Sequence, residues 1–161
     1  MITIRASALS DFFDCPARAE AKHLLGKRTP SNGKALLGKA IHASTAVYDR
    51  SVMDDAGITI DEAAAAAVDT IHRPDEETHL EDDERTDEME KIAVALHKLY
   101  CTTIAPQQEY AAVEVQCERL EISDLGLALT GTTDRVRKVG DGYGIADLKT
   151  GKAAVSSAGT P

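Results

Sequence analysis

The feature that most constrains the fold is an Asp-Gly pair, Asp141-Gly142, in residues 131–152, GTTDRVRKVGDGYGIADLKTGK. It separates two runs of residues with high strand propensity, and Asp-Gly in that setting is a strong signal for a hairpin closed by a two-residue turn. If those two residues form the turn, Gly140 pairs with Tyr143. The sequence therefore predicts an antiparallel pair of strands with a fixed register.

That register decides which side chains share a face. Counting back along both strands places Asp134 opposite Lys149, and Asp147 lies two positions from Lys149 on the same side of its own strand. Facing residues have Cβ atoms about 5 Å apart and diagonal neighbours about 7–8 Å apart. We expect Asp134, Asp147 and Lys149 to form one cluster.

Two carboxylates at that spacing suit Mg²⁺ or Mn²⁺, which bind hard oxygen ligands at about 2.1 Å. The backbone carbonyl of Leu148, between the two site residues, is a further candidate ligand. A lysine beside the ion can hold an attacking water and stabilise charge on a phosphate in its transition state. The alternative from the residues alone is a surface hairpin with ordinary charged side chains.

Three separated motifs resemble the RecB-like branch of the PD-(D/E)XK nuclease superfamily. The hairpin carries G-x-x-D and D-x-K-T-G-K, residues 7–26 resemble the opening helix of that branch, and GKAIHAS gives a G-x-x-x-H helix motif. The residues that carry the resemblance are Ser7, Leu9, Phe12, Cys15, Pro16, Gly38, His42, Gly131, Asp134, Asp147, Lys149, Thr150, Gly151 and Lys152. Residues 51–108 carry no motif of the family.

The resemblance implies metal-dependent cleavage of DNA. It makes Asp134 and Asp147 metal ligands, Lys149 the catalytic lysine and His42 a further metal ligand. Glu114 is a weaker candidate for the acidic residue that some members place one strand earlier. The implied cofactor is Mg²⁺ or Mn²⁺, and the implied setting is exonuclease work in DNA repair, recombination or phage and plasmid processing, with a helicase or recombination protein as partner.

Net charge is −9, which by itself disfavours a DNA partner, but the charge is unevenly distributed. The first fifty residues carry eight Lys or Arg against four Asp or Glu, whereas residues 51–110 carry four against sixteen. The basic side chains expected along a DNA backbone are Arg18, Lys22, Lys39 and Lys152. A solvated helix face is the alternative for these residues.

The expected architecture is an α/β (α+β-like) fold, in which N-terminal helices precede a three-stranded, mainly antiparallel sheet of a restriction-endonuclease-like core. Ser7 or Ser10 is expected to cap a first helix, and Asp61 to cap the alanine-rich one. The predicted helices cover residues 7–25, 34–50, 62–71 and 87–104, and the predicted strands cover residues 110–122, 127–138 and 142–148. Residues 73–87 are expected to be a loop.

We expect one domain over residues 1–161, with an acidic helical insertion at about 51–108. The family core usually continues past D-x-K with a Q-x-x-x-Y helix and another strand, so the chain is expected to be truncated. In some relatives a cysteine at the place of Cys15 begins an iron–sulfur site whose other ligands follow the core, and such a cluster is not expected here.

The chain lacks a stretch typical of a membrane span or a signal peptide, and its three cysteines show no disulfide framework. Both point to a cytoplasmic protein with no membrane partner. Two other classes stay open. One is a non-catalytic nuclease-like module that binds DNA or a protein, and the other is a serine acyl-enzyme, suggested by S-x-x-K at Ser31–Lys34 and K-T-G from Lys149.

Overall fold

The computed structural model describes residues 1–150, which divide into two compact units. The first unit consists of Met1–Thr29 and Glu114–Thr133, and the second of Pro30–Val113 and the chain from Asp134 onward. The mixture of helices and strands confirms the predicted fold class. No helix within residues 1–150 is both long and apolar enough to cross a membrane.

The first unit contains a three-stranded sheet that the sequence did not predict. Strand β1 (Ile2–Arg5) pairs in parallel with β6 (Leu127–Thr130), which pairs antiparallel with β5 (Leu120–Ile122). Ile4 and Ala128 are buried. The strands are only three or four residues long, too short to show a clear alternation of apolar and polar residues.

The first unit also contains the N-terminal helices, which are more broken than expected. A 3-10 turn leads into α1 (Leu9–Asp14), α2 (Pro16–Ala19) and a π-helical turn, Glu20–Leu24. The break lies at Cys15, whose extended φ of −153° suits the residue before a proline. The expected caps, Ser7 and Ser10, are wrong: α1 begins after Ala8 without a side-chain cap.

Three helices form the core of the second unit: α3 (Gly33–Met53), α4 (Ile60–His72) and α5 (Thr86–Leu99). In α3 the Asn32 side chain accepts a hydrogen bond from the Ala35 N–H, at 2.9 Å. Helix α4 is capped by Thr59, with Glu62 completing a capping box, so the expected Asp61 cap is wrong. The Thr-x-x-Glu pattern satisfies two orphan N–H groups, which Asp61 inside the helix cannot do.

The apolar faces of these helices meet in one core. The buried members are Leu36, Ala40, Ile41, Ala67, Ile71, Met89 and Ala93, with Leu37, Leu80 and Leu148 packed against them. The acidic helical insertion predicted at about residues 51–108 therefore contains α4 and α5, and both helices pack against α3 in this core. Within residues 73–87, Thr78–His79 (β3) pairs in parallel with Ser31–Asn32 (β2), so the predicted loop contains a short strand.

A second three-stranded sheet has the order β4-β7-β8. Its strands are β4 (Tyr110–Gln116), β7 (Thr132–Val139) and β8 (Gly142–Ala146). The sequence predicted one continuous strand where β4 and β5 are separate, and another where β6 and β7 are separate. Gly131 lies at the second interruption, where a residue without a side chain weakens strand continuity.

Candidate active site

The β7–β8 hairpin turns one residue earlier than the sequence predicted. Val139 pairs with Gly142, so the turn residues are Gly140 and Asp141. Gly140 has φ +56°, whereas Asp141 does not have a positive φ, as in a type II′ turn with glycine first. The predicted turn would have placed Asp141 in the left-handed region, which glycine occupies at lower cost.

The shift changes which residues face each other but not which face they share. The observed pairs run back to Arg135 and Ala146, so the next positions are Asp134 in β7 and Asp147, which directly follows β8. The prediction that Asp134 lies opposite Lys149 is therefore wrong. Since the turn moved without changing length, the side-chain parity is preserved and the two aspartates still lie on one side of the hairpin.

Asp134 is held by its surroundings on two sides. Its Oδ2 accepts a hydrogen bond from the Leu148 N–H at 2.9 Å and lies 3.5 Å from Nδ1 of His42. The Asp134 side chain is 22% exposed and that of His42 is 29% exposed. The structure thus brings a helix histidine and a strand aspartate together, and both remain open to solvent.

The G-x-x-x-H motif, Gly38 to His42, lies in helix α3. Gly38 and His42 are one turn apart on the same helix face. A Cβ atom added at Gly38 would lie 3.3 Å from Oγ1 of Thr150, a tight contact. Gly38 therefore lets the segment after β8 approach α3, while His42, one turn later, lies beside Asp134.

Leu148 fixes the segment that carries the other two site residues. Its side chain packs against the core formed by α3, α4 and α5. Because side chains alternate along an extended chain, a half-buried Leu148 that packs on the core directs its neighbours Asp147 and Lys149 to the other side. The alternation predicted from the sequence and the packing of Leu148 therefore both place Asp147 and Lys149 on the same side of the chain.

Asp147 and Lys149 form the shortest ion pair of the site, with Nζ 2.7 Å from Oδ2. The hydrogen bond from Lys149 lowers the pKa of Asp147, and interactions with Asp134 and His42 act in the same direction. The same hydrogen bond raises the pKa of Lys149. Both side chains are more than half exposed, so water screens the pair and it adds little to stability.

These residues fit a divalent ion in the type of their donors. Within residues 1–150, no group of three or more His, Cys, Asp or Glu side chains is arranged to hold a metal. Two adjacent carboxylates supply hard oxygen atoms, and Mg²⁺ commonly takes only one or two carboxylates, with water and phosphate oxygens completing its shell. His42 is the neighbouring side chain that could add a ligand.

The remaining predicted ligands stay predictions. Glu114 belongs to the first unit, where it is exposed and has φ +51° in strand β4. At Leu148 the recorded contact is made by the N–H and not by the predicted carbonyl.

Two of the predicted DNA contacts surround a carboxylate of the first unit. Lys22 lies 2.8 Å and Arg18 lies 3.9 Å from Asp11. Lys39, in the second unit, pairs with Asp75 at 3.1 Å and Glu76 at 2.8 Å. Lys152 and Gly151 lie outside the described residues. Phosphate binding by these three described cations would have to compete with the carboxylates that they now contact.

A buried polar cluster next to the site was not predicted from the sequence. Arg135, beside Asp134 on β7, and Asp49, on α3, are each 2% exposed, and Nε of Arg135 lies 2.6 Å from Oδ2 of Asp49. The signal available in the sequence was spacing: Asp49 follows His42 by seven residues, or two helical turns, so both lie on similar faces of α3. Nothing in the sequence paired it with Arg135.

The family profile of the PD-(D/E)XK nuclease superfamily matches residues 3–159 of the chain. This span includes the hairpin, the α3 motif and the N-terminal helices. No curated protein sequence gives a significant match, and neither does any solved structure. The match provides no support for a serine acyl-enzyme, whose proposed nucleophile Ser31 lies in strand β2.

Proposed function

Because the chain belongs to the PD-(D/E)XK nuclease superfamily, we propose that it hydrolyses phosphodiester bonds of DNA with a divalent metal ion bound at Asp134 and Asp147. Nucleases of this superfamily generally use divalent metals. The observation that carries the proposal is that Asp134 and Asp147 come directly after the last residue pair of the β7–β8 hairpin and that their side chains interact, with His42 and Lys149 beside them.

Each side chain has a role that its position supports. Asp134 and Asp147 would hold the ion, His42 would be a further ligand, and the Leu148 N–H keeps Asp134 oriented. When bound, the ion supplies Lewis acidity and lowers the pKa of a coordinated water. Lys149, flexible and 63% exposed, can donate a hydrogen bond to that water or to a phosphate oxygen.

The finer assignment within the superfamily is also a proposal. The D-x-K-T-G-K and G-x-x-x-H motifs favour the RecB-like branch, with Mg²⁺ or Mn²⁺ as the metal and exonuclease activity in DNA repair, recombination or phage and plasmid processing. A helicase or recombination protein would be the partner in such a role. A cytoplasmic location, where DNA and reduced thiols occur together, belongs to the same proposal.

For the DNA backbone we propose Arg18, Lys22, Lys39 and Lys152. The approach of a phosphate to Lys39 would replace its contacts with Asp75 and Glu76. Such exchange depends on ionic strength, because both the ion pairs and the phosphate contacts weaken as salt rises. Lys39→Ala should therefore reduce the salt dependence of DNA binding.

The test is cleavage of linear and circular DNA, single- and double-stranded, by the purified chain with Mn²⁺ and then Mg²⁺. We expect cleavage that requires the metal, and a loss of about 10²–10³ in rate for Lys149→Ala, the size of effect seen when one transition-state donor is removed. Mn²⁺ binding should be largely retained, since lysine is not a ligand.

Lys138→Ala is the matched control, because Lys138 is also an exposed lysine of the same hairpin, paired with Glu109. It should leave the rate almost unchanged. A folded chain that binds Mn²⁺ and DNA but cuts no form of DNA would contradict the enzyme proposal. The non-catalytic binding module would then be the better account.

A further inference from the structure

A buried polar cluster joins strand β7 to helix α3 directly behind the site. We call it the Arg135 cluster, and its members are Thr45, Asp49, Tyr100, Tyr110 and Arg135. No buried side-chain nitrogen or oxygen within residues 1–150 lacks a hydrogen-bond partner. The cluster is therefore a satisfied network and not a defect of the core.

Arg135 makes three directional contacts from one guanidinium group. Its Nε donates to Oδ2 of Asp49 at 2.6 Å, its Nη2 to Oγ1 of Thr45 at 3.1 Å, and its Nη1 to the backbone carbonyl of Asp134 at 2.8 Å. Two of these partners lie on α3 and the third lies on β7. The group thus bridges the helix that carries His42 and the strand that carries Asp134.

The two tyrosines of the cluster contact both members of the ion pair: Tyr100 bonds to Asp49, and the Tyr110 ring lies near Arg135. The Tyr100 hydroxyl donates to Oδ2 of Asp49 at 2.7 Å and lies 2.9 Å from the Tyr110 hydroxyl. The Arg135 guanidinium lies 5.9 Å from the centre of the Tyr110 ring. Because Asp49 also receives a bond from Tyr100, its carboxylate has little freedom to rotate away from Arg135.

We propose that Arg135 is a positioning residue that sets the distance between Asp134 and His42 by fixing the Asp134 backbone to helix α3. This inference rests on the proposed function, in which that distance decides metal binding. Thr45 lies one turn from His42 and Asp49 two turns, so the anchor points and the histidine share one rigid helix. Functional side chains must be held to within about 0.5 Å of their productive geometry.

A lysine cannot reproduce this role. Its ammonium is a single point charge on a flexible stem, whereas the guanidinium is planar and directs several N–H groups at fixed angles. A buried ion pair often contributes little net stability compared with an apolar pair, so the role proposed for Arg135 rests on the direction of its three hydrogen bonds and not on stability. Arg135→Lys therefore retains the charge and removes the fixed three-way bridge.

The experiment compares Arg135→Lys with Tyr100→Phe in the full chain. Tyr100→Phe is the matched control, because it removes the hydrogen bond of Tyr100 to Asp49 and its interaction with Arg135 but leaves the bonds of Arg135 to Thr45 and to the Asp134 carbonyl in place. The first measurement needs no metal: native-state hydrogen exchange of the Leu148 amide, which donates to Asp134. We expect Arg135→Lys to lower its protection at least tenfold, and Tyr100→Phe to lower it less than threefold.

The second measurement is Mn²⁺ affinity by calorimetry below the melting transition. We expect Arg135→Lys to weaken it at least tenfold and Tyr100→Phe to weaken it less than threefold. If Arg135→Lys does not fold, Thr45→Val takes its place, since it removes one of the three partners while conserving shape, and we expect threefold losses in both measurements.

The two measurements separate the two proposals. Wild-type exchange and wild-type Mn²⁺ affinity in Arg135→Lys, or equal losses in the control, would overturn the positioning role. A wild-type chain that does not bind Mn²⁺, combined with a Leu148 amide that loses protection only in Arg135→Lys, would support the bridge and reject the metal site. Loss of both properties in Arg135→Lys alone is the result expected.

Discussion

Strand β7 places two acid–base clusters on neighbouring residues, one facing solvent and one facing the core. Asp134, 22% exposed, belongs to the solvent-facing cluster, and Arg135, 2% exposed, belongs to the buried one. Both clusters contain an ion pair of similar length, Asp147 with Lys149 and Asp49 with Arg135. Because they differ in burial, the exposed ion pair is accessible to a ligand, whereas the buried ion pair joins a strand to a helix.

The pKa values of the two aspartates shift in opposite directions. Lys149 lowers the pKa of Asp147, which remains in contact with water. Burial raises the pKa of Asp49, even though Tyr100 and Arg135 both donate to it. The exposed carboxylate is thus available for a ligand, whereas the buried one is costly to desolvate and is retained only because its partners are fixed.

The largest expected change in stability comes from removing one partner of the buried ion pair. Asp49→Ala should lower the free energy of unfolding by about 3–5 kcal/mol, because it leaves the Arg135 charge uncompensated in the interior. Chemical denaturation measures this loss. Asp147→Ala, which breaks the exposed pair, should change stability by less than about 1 kcal/mol without metal. Equal losses in both variants would contradict the contrast between the clusters.

The next effect tests the exposed cluster as a metal site. Mn²⁺ should raise the melting temperature, and at a hundred times its dissociation constant it should add about 2.7 kcal/mol, because it binds only the folded state. Asp147→Asn should remove most of that gain. Asp141→Asn, in the turn of the same hairpin, should retain it. A shift of unchanged size in Asp147→Asn would move the site elsewhere.

A smaller effect concerns the approach of the last described segment to α3. In Gly38→Ala, the gain in helix stability, about 0.5–1 kcal/mol, should be offset at least in part by the tight contact of the new methyl group with Thr150. The added methyl, 3.3 Å from Thr150, should displace the segment and reduce the Mn²⁺-induced melting shift. Ala35→Gly, near the start of the same helix, should destabilise without changing that shift. Stabilisation by Mn²⁺ that is insensitive to Gly38→Ala would contradict this role of the glycine.

The smallest effect is a pH dependence at Asp11, in the other unit. The hydrogen bond from Lys22, followed by that from His23, lowers the pKa of Asp11 from 3.8 to about 2. A carboxyl with a depressed pKa stabilises the fold above its unfolded value, and this contribution is lost as pH falls from about 4 to about 2. Melting curves of wild type and Asp11→Asn should differ at pH 5 and converge near pH 2. Parallel curves would contradict the assignment.

The sequence correctly predicted which site residues share a face of the hairpin or of α3, because this follows from the local periodicity of strands and helices. Alternation along a hairpin placed Asp134 and Asp147 on one side, and this survived the wrong turn because moving a two-residue turn by one position preserves side-chain parity. The i, i+4 spacing of Gly38 and His42 likewise fixed their shared face on α3. The catalytic roles of these residues stay predictions.

By itself, then, the sequence determined the mixed fold class, the long α3 helix and the side of the hairpin on which the acids lie, because these follow from patterns within about ten neighbouring residues. Tertiary structure alone decided that β1 pairs with β6 and that Arg135 is buried against Asp49. Those outcomes depend on contacts between residues far apart in the chain, where the cost of burying a charge is met by partners that no local pattern reveals.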